Sequence, residues 1–191
     1  FGSDTGGSVR LPASACGVLG LKPTNGRVSR AGMMPLAPSV DVPGILGRSA
    51  RDVARLLAIV VGHDPTDAGS SHRPAPDYEA ALGHGIADLR IGVPQNYFFE
   101  AVAPDVSRAL DEALHELRSL GATVVPIQVP SPEHLTELSR VLVYSEASAV
   151  HGSWLSTHAT DYSPQVRTRA ATGLAIPAAA YQQAQQLRPR L

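Results

Sequence analysis

The 191 residues are 43% hydrophobic and carry a formal net charge of −1. That apolar share suffices for an ordinary core, and the near-zero charge gives no reason to expect nucleic acid or an anionic membrane as a partner. The longest apolar stretch, residues 56–61, is too short to span a bilayer. The single cysteine, Cys16, excludes an intrachain disulfide and fits a reducing, cytoplasmic setting.

In chain order, residues 2–14 read as loop, being rich in Gly, Ser, Asp and Pro. Residues 16–21 form a short apolar run that reads as a buried strand, with Cys16 a small buried side chain. Residues 22–26 read as a turn. Ser49 begins the first clear helix, with Asp52 placed as in a capping box. Val53, Leu56, Leu57, Val60 and Val61 share one face of it, and Gly62 ends it. Residues 63–88 read as a surface crossing. Residues 89–93 form the next strand. Pro104 opens a second helix, with Val106, Leu110, Ala113, Leu114, Leu117 and Leu120 on one face. Residues 122–127 follow as a strand. Strand, helix and strand at this spacing make a βαβ unit, so the two strands should be parallel and the crossover right-handed. Residues 131–158 read as mostly helix, and Pro177 opens another.

This alternation gives the α/β class, a mixed β-sheet covered by helices. The loop around Ser8 is expected at the edge of that same sheet. Phe1 leads straight into this loop, and Leu191 ends a segment that still reads as helix. The chain therefore reads as a piece of a longer protein, residues 1–191 forming one partial domain truncated at both ends.

The chemistry concentrates at residues 2–10, Gly-Ser-Asp-Thr-Gly-Gly-Ser-Val-Arg. Two glycines before a hydroxyl let the chain turn tightly and expose main-chain N–H groups to a ligand. Such a nest beside a nucleophile suits an oxyanion. The run continues through Pro12, the pair Cys16-Gly17, and Gly20-Leu21-Lys22-Pro23-Thr24. Further on come Ser39-Val40-Asp41 with Gly44, Arg48-Ser49 with Asp52, and Gly62-His63-Asp64-Pro65-Thr66-Asp67. Taken together over residues 2–67, these elements resemble the nucleophile segment of the amidase signature family, serine hydrolases with a Ser–cis-Ser–Lys triad. One position departs: Ile45 stands where that family usually has Pro, which would alter a loop near the site.

The resemblance implies an amide hydrolase that cleaves a non-peptide C–N bond through a serine acyl-enzyme. Ser8 is then the nucleophile, and the N–H groups of Thr5, Gly6, Gly7 and Ser8 form the oxyanion hole. Asp4 and Arg10 flank the loop and would fix its shape as an ion pair. No cofactor and no metal are implied. The partner is a small-molecule amide, with no nucleic acid and no membrane, and a homo-oligomer is allowed. The family's lysine base and its cis-serine precede this block and are not among these residues. Lys22, the one lysine present, matches a structural Lys-Pro-Thr element instead. The 191 residues alone are therefore expected to be inactive.

Other chemistries fit less well. None of the seven histidines lies in a Ser-His-Asp pattern. His115 and His134 read as helix-surface residues. His151 and His158, seven apart, fall on one helix face that would place both in a cleft, but partly buried structural roles suit them better. Asp4-Thr5-Gly6 spells the aspartic-protease tripeptide, but that chemistry needs a second aspartate. No His, Cys and Asp spacing suggests a metal site. The rival within the resemblance is a glutamine-amidating subunit of a tRNA-dependent amidotransferase. There Glu-Ala-Ser continues Ser-Asn-Leu-Ala-Arg-Tyr-Asp-Gly, whereas here Glu146-Ala147-Ser148 continues Ala149-Val150-His151-Gly152. A non-catalytic domain that keeps the loop for its shape is the rival outside enzymes.

Overall fold

The computed structural model describes residues 1–190. They are α/β and group into two compact units. The first unit comprises residues 1–82 with those from 137 onward, and the second is Gly83–Thr136. Among the described residues, no helix is long and apolar enough to cross a membrane.

The first unit is built on a three-stranded antiparallel sheet in the order β1 (Gly2–Asp4), β3 (Val42–Gly47), β2 (Leu19–Leu21). The central strand, β3, carries Pro43 and two glycines, which weaken any local strand signal. Its register places Val42 opposite Asp4 and Ile45 opposite Leu21. Ile45 is therefore a core residue inside a strand, not part of a loop near the site, and is 1% exposed. It packs with Val53 and Leu57 of α2 (Ala50–Val60), and Leu21, Val28, Leu56, Val60, Val61 and Tyr78 surround the three. The α2 cap follows the sequence expectation. The Ser49 side chain accepts the Asp52 N–H at 3.1 Å and donates to the Asp52 carboxylate at 2.7 Å.

Residues 2–14 are not all loop. β1 occupies the first part, and α1 (Arg10–Ala15) follows. The apolar run after it is a strand only from Leu19, and Leu19 is exposed. Cys16 is also exposed, not buried. It closes the short α1, donating its N–H to Pro12 O, and the chain turns away at Gly17.

The crossing segment after α2 is held by polar side chains. Asp67 accepts the Arg30 guanidinium at 2.8 and 3.2 Å and the N–H groups of Arg30 and Gly69 at 2.9 Å. The Arg30 contact holds its carboxyl well below the usual carboxylate range. The last part of the chain is helical: α4 (Pro132–Thr157), α5 (Pro164–Thr172) and α6 (Ala178–Leu187), α6 with Pro177 at its N-cap.

In the second unit, β4 (Arg90–Pro94) and β5 (Thr123–Ile127) pair in parallel, joined by α3 (Pro104–Ser119) with Pro104 at its start. These two strands form their own sheet. The loop around Ser8 consequently belongs to a different sheet from β4 and β5, against the expectation of one continuous system. No hydrogen-bonded ladder joins the two sheets among the described residues. No α3 side chain is fully buried, although its apolar face is present.

Candidate active site

The sequence around Ser8 is clamped at two completely buried residues, Asp4 and Val9. Between them Gly6 and Ser8 stand exposed. Strand β1 delivers the Asp4 carboxylate beneath the loop, where it gathers five donors. Gly7 N–H donates to Oδ1 at 2.7 Å, and the Val9 and Arg10 N–H groups donate to Oδ2 at 3.3 and 3.4 Å. The Arg10 guanidinium donates to both oxygens at 3.0 Å, in bidentate fashion. Burial raises the Asp4 carboxyl, but Arg10 and the three N–H groups outweigh it and bring it to about 2. Asp4 is thus a fixed anion, not the proton-sharing acid that an aspartic protease requires.

A second buried carboxylate holds the other side of the loop. The Thr5 hydroxyl donates to Asp41 Oδ1 at 2.5 Å, and Asp41 Oδ2 accepts the Leu36 and Ala37 N–H groups at 2.8 and 2.9 Å. Gly7 adopts φ +125°, a region closed to most side chains. That conformation turns its N–H inward to Asp4. The expected four-donor nest is therefore reduced: Gly7 is committed to the protein. The N–H groups of Thr5, Gly6 and Ser8 donate to no protein acceptor among the described residues.

Thr5, Gly6 and Ser8 line a cavity of about 1120 Å³. Its far wall comes from α4 and the segment after it. His151 and His158 both line it, His158 from just beyond the end of α4, together with Trp154, Tyr162, Arg140 and Arg169. The sequence reading did not single out those last four. His151 is buried, with Nε2 3.1 Å from Pro35 O and Nδ1 3.0 Å from Tyr162 Oη. A carbonyl can only accept, so Nε2 bears the proton and the ring is a tie between α4, the 34–36 segment and Tyr162. Nearby, Glu146 accepts from Ser39 N at 2.8 Å, Ser39 Oγ at 2.6 Å and Tyr181 Oη at 3.1 Å. Glu146 thereby ties α4 and α6 to the loop before β3.

Ser8 Oγ has no side-chain hydrogen-bond partner among the described residues. Lys22 does not line the cavity, and its ammonium donates to Pro23 O at 3.1 Å. His115 and His134 are exposed on α3 and α4. Among the described residues, no group of three His, Cys, Asp or Glu side chains stands ready for a metal.

The sequence model of the family described as Amidase matches residues 1–190. The chain belongs to the amidase family. An amidase of Pseudomonas putida is 42% identical over 188 residues, covering 98% of this chain and 40% of that protein. The A-type subunit of the glutamyl-tRNA(Gln) amidotransferase from Geobacter sp. (strain M21) is 48% identical over 149 residues, covering 78% of this chain and 31% of that protein. A solved chain from a vestigial protein complex, linked to the origins of an s-triazine catabolic enzyme, matches with a TM-score of 0.89 at 37% identity. That match covers 98% of this chain and 40% of the solved one. This amidase-family chain thus spans 31% to 40% of the length of the two curated relatives.

Proposed function

We propose that these residues carry the nucleophile and part of the substrate cavity of an amide hydrolase, as part of one amidase domain. Ser8 Oγ attacks the amide carbonyl carbon, and its proton passes to a base. The carbonyl oxygen becomes an anion facing the N–H groups of Thr5, Gly6 and Ser8. The C–N bond then breaks, and the amine leaves with a proton. Water cleaves the Ser8 ester, releasing the carboxylic acid and restoring the hydroxyl. The base in this reading is the family's serine–lysine relay, supplied by residues outside these 191. The reading needs no cofactor, and a single exposed cysteine accords with a cytoplasmic setting.

The observation that carries it is the Ser8 loop: an exposed hydroxyl and three uncommitted N–H groups, held between two buried clamps at the wall of a large cavity. The test uses the full-length protein. Ser8→Ala should lower kcat for amide hydrolysis by at least about 10³-fold. A sulfonyl fluoride should add its mass to the peptide containing Ser8. Turnover that persists in Ser8→Ala, or an adduct elsewhere, contradicts the assignment.

The amidotransferase reading draws on the 48% identical relative. The continuation Ala149-Val150-His151-Gly152 speaks against it, because His151 is spent on Pro35 and Tyr162 inside the cavity wall. Glutamine hydrolysis stimulated by a partner protein would favour that reading instead.

A further inference from the structure

Resting on the reading of Ser8 as nucleophile, we propose that its cavity selects amides with a bulky, uncharged, apolar acyl group, aryl or arylalkyl, and that Trp154 sets this preference.

The volume, about 1120 Å³, lies just above the usual range of small-ligand pockets. Most of the wall surface is apolar. Val143, Ala147, His151 and Trp154 are spaced by four, four and three residues along α4, so they form one stripe on one helix face. Met34 and Leu36 face the same space from the loop before β3. Trp154 is 52% exposed and Met34 61%. Scattered exposed apolar side chains are ordinary, but several large ones lining one concavity beside a reactive hydroxyl mark a ligand surface.

Charge does not compete with this. Arg140, His158, Asp161 and Arg169 also line the cavity, and all four are exposed. They carry both signs and stand exposed, so screening weakens their pull on a charged substrate. Burial of apolar area against Trp154, Met34 and Leu36 remains as the discriminating interaction. A flat ring gains most, since the indole offers a face for offset stacking.

The experiment uses the full-length protein in two arms. In the kinetic arm, kcat/KM is measured for acetamide, butanamide, hexanamide, 3-phenylpropionamide and glutamine. Each added methylene should raise kcat/KM about two- to fourfold, and 3-phenylpropionamide should exceed glutamine by at least about 30-fold. Trp154→Ala should lower the ratio of 3-phenylpropionamide to acetamide about tenfold. In the binding arm, the Ser8→Ala protein is titrated with the same amides while indole fluorescence is followed. Trp154 is the one tryptophan of these 191 residues, and the Trp154→Phe protein supplies the background. The signal should saturate with 3-phenylpropionamide and not respond to glutamine.

A flat homologous series, or a preference for glutamine, with hydrolysis still dependent on Ser8, overturns this inference and leaves the nucleophile in place. Absence of Ser8-dependent hydrolysis of all five amides overturns the reading of Ser8 and this inference with it. If Trp154→Ala fails to fold, the wild-type series and the titration still decide.

Discussion

The Asp4 clamp makes the sharpest claim about the site, and Asp4→Asn isolates it. The substitution keeps the shape and leaves one oxygen for the Gly7 N–H. It replaces Oδ2 with an NH₂ group facing the N–H groups of Val9 and Arg10 and the guanidinium of Arg10, all donors. Asp4 is completely buried, so water cannot repair the mismatch there, whereas Arg10 is half-exposed and recovers hydration. Losing charge-assisted bonds to a buried carboxylate and leaving N–H groups unpaired should cost about 2–4 kcal/mol. The pH argument agrees in size. Asp4 titrates at about 2 instead of the ordinary 3.8, a gap worth about 2–3 kcal/mol. Because the folded-state value is the lower one, this stability is complete above the unfolded value near 4. It is lost as pH falls from there through about 2. Thermal unfolding near pH 7 should therefore show a midpoint about 4–16 °C lower for Asp4→Asn. The difference from wild type should shrink as pH falls toward 2. A variant that melts within about 1 °C of wild type at pH 7 would refute the clamp.

Gly7→Ala must hold alanine at φ +125° with its Cβ 3.1 Å from Leu11 Cδ1; kcat/KM of the full-length protein should fall at least about tenfold, with a smaller proportional change in denaturant midpoint. A fully active, stable variant would remove Gly7 from the site. Gly173→Ala would drive a Cβ into Tyr144 O, a backbone atom of α4, so it should destabilise by about 3 kcal/mol or more, checked by urea unfolding. Glu146→Ala removes the acceptor for Ser39 and Tyr181 at a buried position; about 2–3 kcal/mol should be lost, while Glu146→Gln, which keeps an acceptor, should lose less. The 191-residue chain by itself should hydrolyse amides no faster than its own Ser8→Ala form, because no base contacts Ser8 among the described residues; turnover abolished by that substitution would point to a histidine of the cavity.

The sequence by itself determined the elements whose signals are local. The α2 cap rests on Ser49 and Asp52, three residues apart, and both make the expected bonds. The parallel β4 and β5 follow from apolar runs bounded by Pro104 and Gly121, because the connecting helix leaves few other arrangements. The Asp4–Arg10 pair was legible for the same reason, with opposite charges six positions apart around a two-glycine turn. Strands β1 and β3 were not legible. Their residues, with Pro43, Gly44 and Gly47, have little strand propensity, and they pair only because the fold brings residues 2–4 to residues 42–44. Ile45 looked like a loop departure and is a core residue, since burial depends on what covers a position and not on its neighbours in sequence. The fate of the Gly7 N–H was likewise a tertiary matter. A glycine pair announces that the backbone can turn, but only the buried Asp4 decides which N–H groups remain free. The cavity is the furthest case. Its wall is a helix far along the chain from Ser8, and His151 and Trp154 acquire a shared purpose only when α4 is laid beside the loop. Local hydrogen bonding and periodicity are written into short stretches of chain, whereas a binding surface is assembled from stretches that meet only on folding.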